Sequence, residues 1–445
     1  MSDLRILYIV HNHPALHPGG TEIFAHDLFG EVKVRAGVEA LFVACTDKLH
    51  RERKPGTVFQ GIGDTADELL LWTGHFDRFF LSQRDLYAIV PALSELLAAF
   101  RPTVVHFHHA LMIGVEAIAL VRRLAPEAKI VFTMHEYMAM CANEGQMVTP
   151  QGRLCHRAGA DACHGCFPKI GLDQFVLRER FLKSMFGQVD AFIAPSRFLR
   201  TRAIEWGLPA EKVRVVANGV HAEGVPPRKP SQVVRPHDRF GFFGHVNPFK
   251  GAMVALEAAR RLAEADEFPF TLTLHGGADY QTDAFKAAFQ AELDRTPAAS
   301  WRGPYAREGA AALMADVDWV IVPSVWWENA PLIIQEAFAS RRPVICSNIG
   351  GMAEMVRDGV DGLHFQAGDA ADLARTMKRA ATTPQLWQRL SASIVAPRTV
   401  AAAADEHIGF YHELLSGAPV ATAPAVVAPA PVRRWANPIR PESHP

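Results

Sequence analysis

Several things are missing from this sequence, and each absence removes a class of protein. No stretch approaches the ~20 consecutive apolar residues that a membrane-spanning helix requires. The opening MSDLRILYIV has too short an apolar run for a secretory signal and no cleavage-site pattern. The expected location is cytoplasmic. An excess of either charge is also missing: 46 Lys and Arg stand against 47 Asp and Glu, for a formal net charge of -1. Whole-chain electrostatics therefore offer nucleic acid nothing to bind. Cysteine is scarce, six residues in 445, yet four of the six fall in one segment. What is present is a globular composition, 49% hydrophobic and 21% charged, in a chain long enough for two large domains.

Short β-branched or apolar runs alternate with amphipathic stretches, the signature of parallel strands joined by helical crossovers. The expected class is α/β, two Rossmann-like doubly wound domains facing a central cleft. Strands are expected at 4–10, 39–45, 104–108, 129–134, 191–194 and 213–216, with helices at 20–35, 87–100, 114–124, 171–186 and 196–206. A Pro-rich, charged stretch marks a linker at 218–238, which sets the first domain at 1–217. The second domain, 239–395, repeats the pattern, with strands at 240–243, 270–275, 319–322, 344–347 and 363–365. Its helices fall at 251–265, 284–295, 332–340 and 370–382. A last helix, 400–415 within the segment 396–416, is expected to cross back to the first domain. The Pro/Ala-rich tail 417–445 cannot build a core; its Arg433, Arg434 and Trp435 read as an inert end before a docking element. The stretch FDRFFLSQRDLY, Phe76 to Tyr87, reads as a buried helix edge, with peripheral membrane contact as the second reading.

In doubly wound domains ligands bind at the carboxyl ends of the strands, and the candidate motifs all follow strands. After the first comes HNHPALHPGGTE, whose Gly19 and Gly20 open a helix and leave its amides approachable by a phosphate or a sugar hydroxyl. This loop is not G-x-G-x-x-G, which argues against a hydride-transferring dinucleotide enzyme. After the strand at 240–243 comes GHVNPFKG, which sets Lys250 at a helix start, where its charge and the helix dipole favour a diphosphate. After the strand at 319–322 comes PSVWWENAPLIIQE. Glu328 falls in the loop and Glu336 on the helix that begins near Pro331, so two carboxylates can accept hydrogen bonds from vicinal hydroxyls.

Taken in order, these segments resemble family 4 retaining glycosyltransferases of the GT-B fold. PSVWWENAPLIIQEAF is similar to that family's E-x7-E motif. The Gly19-Gly20 loop, His135 in FTMHEY, the F-F-G-x-x-x-P-x-K-G block and GGMAEMVRDGVDG from Gly350 match in sequence over most of residues 4–415. The resemblance implies transfer of a hexose from a nucleotide sugar, UDP-, GDP- or ADP-linked, to a glycan or lipid-linked hydroxyl acceptor, with retention and with no required catalytic metal. It implies catalytic roles for His135, Glu328 and Lys250. It gives the donor Gly19, Gly20, His245, Lys250, Gly303, Tyr305, Asn329, Ala330, Pro331, Leu332 and Glu336. The family commonly has arginine where this chain has His245, which points to a weaker or pH-dependent donor grip. His106, His108 and His109, in HFHH, read as packing or surface residues first and acceptor-pocket residues second.

Cys141, Cys155, Cys163 and Cys166 are spaced x13, x7 and x2. In a reducing compartment a cluster ending in C-x-x-C favours a structural zinc over disulfides or redox-active thiols, with His156 and His164 as reserve ligands. Such a site would pin the long loop 137–168, in which no secondary structure is expected. The competing functions are a catalytically silent sugar-nucleotide or glycan-binding protein and, on the same fold, a sugar-nucleotide epimerase or a phosphorylase.

Overall fold

Parallel strands cannot be joined by tight turns, so each apolar run here is followed by a helix that carries the chain back across the sheet. The computed structural model describes residues 4–221, 236–279 and 281–417. Most of the expected linker and the tail with Arg433, Arg434 and Trp435 lie outside those residues. Contacts divide the described chain into two units. The first comprises residues 4–150, 155–219 and 400–417, and the second comprises 151–154, 220–221 and 236–399 without residue 280.

In the first unit the elements are β1 (Leu4–Val10), α1 (Gly20–Lys33), β2 (Val38–Thr46), β3 (Phe59–Gly61), β4 (Glu68–Trp72), β5 (Phe76–Asp77), β6 (Ser82–Gln83) and α2 (Leu86–Phe100). They continue with β7 (Val104–Phe107), α3 (Glu116–Leu124), β8 (Lys129–Thr133), α4 (Ala160–Cys166), α5 (Leu172–Phe186), β9 (Ala191–Ala194), α6 (Arg197–Trp206) and β10 (Val213–Val215). Eight strands form one sheet in the order β10-β9-β8-β7-β1-β2-β4-β3. Only the β3–β4 pair is antiparallel. Central β1 is apolar throughout, apart from Arg5, because helices cover both faces of the sheet. The final helix, Val400–Leu415, belongs to this unit. It packs on α1 and buries Ala403, Ala404, His407, Phe410 and Tyr411.

Two stretches differ from the sequence-based expectation. Most of Phe76 to Tyr87 is not a helix edge but the β5–β6 hairpin; only Leu86 and Tyr87 are helical, at the start of α2. Asp77 Oδ1 accepts the amides of Phe79 and Phe80, both at 3.0 Å, and an aspartate that satisfies local amides in this way competes with helix formation. Phe79 and Phe80 then pack on α5, with ring centroids 5.3 Å from Phe175 and 6.2 Å from Phe181. The loop 137–168 is not wholly irregular either, since it contains α4.

In the second unit the order is β11 (Arg239–Phe243), α7 (Ala252–Ala265), β12 (Thr271–His275), α8 (Asp283–Asp294), β13 (Ala299–Trp301), α9 (Ala310–Ala315), β14 (Trp319–Val322) and α10 (Leu332–Ala339). Then follow β15 (Val344–Ser347), α11 (Gly350–Met355), β16 (Gly362–Phe365), α12 (Ala370–Thr382) and α13 (Leu386–Ser393). The sheet is parallel throughout, in the order β13-β12-β11-β14-β15-β16. The strand order reverses between β11 and β14, and the loops that follow these two strands carry Lys250 and Glu328. That is the switch point at which open α/β sheets take ligands.

Candidate active site

Close backbone approach holds the switch-point loops of the second unit together. Gly251 has φ +76°, and a Cβ there would lie 1.9 Å from the Pro323 carbonyl oxygen. Val325 donates its amide to Phe249 O at 2.9 Å, which ties the β11 loop to the β14 loop. Gly351 sits as tightly against Asn329, where a Cβ would fall 1.6 Å from the carbonyl oxygen, and it donates its amide to Glu328 O at 2.7 Å. Glycine is required at both positions because nothing larger lets the backbones meet. Asn247 Oδ1 accepts the amides of Phe249 (3.0 Å) and Lys250 (2.8 Å), and this side-chain turn aims the lysine.

Lys250 Nζ donates to Glu328 Oε1 at 2.7 Å. The same oxygen accepts from Ser324 Oγ and from Trp326 Nε1, each at 2.8 Å, and the ammonium lies 5.5 Å from the Trp326 ring centroid. The side chain of Glu328 is 8% exposed and that of Lys250 is 30% exposed. Burial pushes the Glu328 carboxyl up, but the Lys250 charge and the three donors outweigh it and hold the group below its ordinary range. Glu328 is therefore a fixed buried anion, while Lys250 keeps an exposed side for a further anion. Ser324 and Trp326 belong to this site although only the carboxylate and the lysine stand out in the sequence.

Beyond this pair, α10 begins at Leu332 with Pro331 as its N-cap. Asn329 is buried, and Ala330, Pro331 and Leu332 are half-buried. Pro331 has no N–H, so the amides available at this helix start are those of its neighbours. Glu336, half-buried, lies one helical turn further on. Burial first, and then the Glu336 charge, push the Tyr305 hydroxyl well above its ordinary range, which places these two residues near each other. Tyr305 meets Phe243 and His275 edge-on at 6.0 and 6.1 Å, and those two rings stack at 4.8 Å. Gly303, at φ +74°, accepts the Gly276 amide at 2.8 Å. His245 is exposed on the loop after β11. His275, not singled out in the sequence, completes this aromatic cluster around Tyr305.

The first unit carries a separate histidine cluster. His135, half-buried after β8, has its Nε2 3.0 Å from His108 Nδ1, with the rings stacked. Burial, then the neighbouring His109 and His11, depress the His135 pKa to about 3, so it is neutral at physiological pH. His106 bridges Tyr411 Oη and Thr133 Oγ1, each at 2.7 Å. Burial keeps His106 and His108 neutral too. All three rings of HFHH are buried, as the packing reading expects, and His109 Nε2 pairs with Glu136 Oε1 at 3.0 Å. At Gly19 a Cβ would lie 2.4 Å from the Glu22 carboxylate, which would have to shift to admit it. Glu22 pairs with His11 at 2.9 Å. Burial raises its pKa, but His11 and the hydrogen bonds outweigh this and bring it to about 2. A phosphate approaching this helix start would meet a like charge, so a hydroxyl suits the Gly19 loop better than a phosphate does. Gly20 has open space around it. Cys141, Cys155, Cys163 and Cys166, each half-buried in this unit, form no disulfide among the described residues.

Comparisons with known proteins agree with this layout. The model for Glycosyltransferase Family 4 matches residues 18–223, and that for Glycosyl transferases group 1 matches residues 237–383. A D-inositol 3-phosphate glycosyltransferase of Frankia alni is 28% identical over 231 residues, 47% of this chain and 56% of its own. The amylovoran biosynthesis glycosyltransferase AmsK of Erwinia amylovora is 27% identical over 201 residues, 44% of this chain and 48% of its own. The chain thus spans about half the length of the curated relatives it matches. Among solved structures, Anabaena Alr3699/HepE in complex with UDP and glucose superposes with a TM-score of 0.65 at 17% identity, covering 92% of this chain and 99% of that one. Sucrose-phosphate synthase from Thermosynechococcus elongatus gives 0.67 at 18% identity, covering 93% and 100%. These likenesses fix the fold as GT-B, and with two family models that together span most of residues 18–383, the chain belongs to the family 4, or group 1, glycosyltransferases.

Proposed function

We propose that the second unit binds a nucleotide sugar and that the protein transfers its hexose, with retention of configuration, to a hydroxyl of a growing glycan or glycolipid. The observation that carries this reading is the Lys250–Glu328 pair at the switch point, with Glu336 and Tyr305 nearby. One side of Lys250 is held by Glu328 and the other is exposed, so the ammonium can bridge Glu328 and a diphosphate. The amides at the start of α10 add the positive end of a helix dipole. Glu336, near Tyr305, suits a ribose next to a base. The free Oε2 edge of Glu328 suits the sugar hydroxyls.

In the transfer, the bond from the anomeric carbon to the diphosphate oxygen breaks, and the acceptor oxygen bonds to that carbon on the same face. The acceptor proton passes to the departing phosphate. The protein's share is to stabilise the leaving diphosphate through Lys250 and the helix-start amides, and to position the reactants. His135, neutral at physiological pH, can accept or donate a hydrogen bond to an acceptor hydroxyl without adding charge. The UDP and glucose bound by the Anabaena structure, and the amylovoran and lipopolysaccharide assignments of relatives, support a sugar-nucleotide donor and a surface-glycan product.

Thermal-shift screening with UDP-, GDP- and ADP-sugars, free nucleotides as controls, followed by donor-hydrolysis assays, tests this reading. Stabilisation by one nucleotide class with turnover that Glu328→Ala abolishes is expected. Stabilisation without turnover over a broad acceptor panel would point to a binding protein instead, and no stabilisation by any nucleotide would refute both.

A further inference from the structure

The imidazoles at the strand ends of the first unit differ in which nitrogen carries the proton, and their neighbours decide it. His11 Nε2 lies 2.9 Å from Glu22 Oε1, and a carboxylate only accepts, so the neutral ring has its proton on Nε2 and a bare Nδ1. That Nδ1 is buried without a hydrogen-bond partner. His13 Nδ1 accepts the Ala15 amide at 3.1 Å, which puts its proton on Nε2 as well, 2.9 Å from Glu68 Oε2. His106 faces two hydroxyls that can each donate or accept, so its neighbours leave either tautomer open. His108 has one polar neighbour, and that neighbour is His135.

We propose that His108 is a positioning residue that holds His135 in the tautomer with its proton on Nδ1, so that His135 serves the transfer as a hydrogen-bond donor and not as a base. The role in transfer rests on the reading of His135 as a residue of the acceptor side, whereas the tautomer rests on geometry alone. Because β7 and β8 are neighbours in the sheet, with Phe107 paired to Phe132, their carboxyl ends deliver the two histidines side by side. His108 Nδ1 and His135 Nε2 are 3.0 Å apart, with the ring planes 18° apart and the centroids 5.2 Å apart. That separation is close to the N···N distance plus the two ring radii. Both nitrogens therefore lie near the line between the ring centres, where an N–H meets a lone pair directly.

One proton lies between the two atoms, because two bare nitrogens repel and two N–H groups collide. Burial keeps both rings neutral, so each ring has a single proton and only two arrangements remain. In the first, His135 Nε2 donates and His108 must carry its own proton on Nε2. That atom is buried and has no hydrogen-bond partner. Around His108 the rings of Tyr8, Phe24 and His106 have centroids at 5.7, 6.4 and 4.2 Å. In the second, His108 Nδ1 donates to His135 Nε2, and the orphaned nitrogen of His108 is a bare one, as it is in His11. Buried N–H groups without an acceptor are rarer than under-used acceptors, so the fold selects the second arrangement. His135 then has its Nε2 lone pair occupied and its proton on Nδ1. Whatever group Nδ1 meets, protein or substrate, it meets as a donor. Such a ring can stabilise a hydroxyl oxygen that gains negative charge as its proton leaves. It does not compete with the departing phosphate for that proton.

The test is nitrogen NMR of the nucleotide-free full chain labelled at its histidine ring nitrogens, with the His135 signals identified by their loss in His135→Gln. No donor or turnover is involved, so the outcome is independent of the transferase reading. A pyrrole-type Nδ1 and a pyridine-type Nε2 are expected for His135 at neutral pH. The reverse pattern, or one averaged between two tautomers, would overturn the proposal. Two variants then separate positioning from packing, since His108→Asn keeps an N–H near the place of Nδ1 and His108→Leu removes it. The asparagine variant should keep the His135 pattern and kcat within about threefold, while the leucine variant loses the pattern and roughly tenfold in kcat at little-changed donor KM. Equal kcat in the two variants would overturn the role in transfer. If the leucine variant does not fold, the natural spectrum and an asparagine variant that keeps or loses the pattern decide the matter. A natural chain with the expected spectrum and no turnover on any acceptor would count against the transferase reading and not against the tautomer.

Discussion

Replacing Lys250 with methionine preserves the length of the side chain and deletes its charge, and its consequence can be worked from the geometry. Glu328, 8% exposed, would keep its bonds from Ser324 and Trp326 and lose the one cation that contacts it among the described residues. Removing one partner of a buried pair costs about 3–5 kcal/mol. Lys250 is 30% exposed, so solvent screening reduces this to roughly 2–4 kcal/mol. For a unit of this size that is a fall in Tm of roughly 5–15 °C at pH 7. The pH dependence is the sharper test. In the natural protein the Glu328 carboxyl is held below its ordinary range, so the pair contributes stability above the unfolded value of about 4.3, lost as pH falls through the folded value. In Lys250→Met, only the Ser324 and Trp326 donors are left to oppose burial, and the carboxyl is expected to rise above its unfolded value. The stability gap between the two proteins must therefore be widest near pH 7 and narrow as pH falls toward 4.5, with the natural pair's own contribution lost only below that. Urea melts followed by tryptophan fluorescence at intervals from pH 4.5 to 8 measure it, and the other titrating groups cancel in the difference. A gap that stays constant across that range would refute the electrostatic account of this pair.

Three further outcomes follow from the same geometry. Glu336→Gln should weaken a nucleoside diphosphate at least tenfold yet leave inorganic pyrophosphate binding unchanged, as read by calorimetry, because only the former carries the ribose. Gly251→Ala should cost at least about 2 kcal/mol in a urea melt, since a Cβ would lie 1.9 Å from Pro323 O at a φ of +76°; little loss would show that the two loops separate freely. Burial depresses His106, His108 and His135, so their contribution to stability is present above about pH 6.5 and is lost as pH falls below it. The three together give a slope of at most about 4 kcal/mol per pH unit. His108→Leu should reduce that slope by about a third in melts between pH 6.5 and 5.

The two parallel sheets were legible in the sequence because a strand covered on both faces is a near-continuous apolar run, as in LRILYIV and WVIV. Short or partly polar elements were not. FQG of β3 has no alternation to read, and the hairpin at Phe76 depends on Asp77 satisfying local amides, which hydrophobic periodicity does not register. At the site, Lys250 and Glu328 each stood out by their place after a strand. Their mutual bond spans residues far apart in the chain, and spacing carries no signal for it. The same holds for the Gly19 loop, where a glycine pair left phosphate and sugar hydroxyl both open, while the residue that favours the hydroxyl is Glu22, the next acid along. HFHH gave three histidines, and only the packing of α14 (Val400–Leu415), through Tyr411, shows why His106 is buried and neutral.

The most direct test of the donor reading is a calorimetric titration of the full chain and of Lys250→Ala with the nucleoside diphosphate selected by thermal-shift screening, at two ionic strengths. One saturable site is expected. Its affinity should fall at least tenfold in the variant, and in the natural chain it should weaken as salt rises, because the Lys250 side chain is 30% exposed and salt screens its charge. Equal affinity of the two proteins for the nucleotide, or a site in the natural chain indifferent to salt, would contradict the assignment of Lys250 to the diphosphate and with it the central claim.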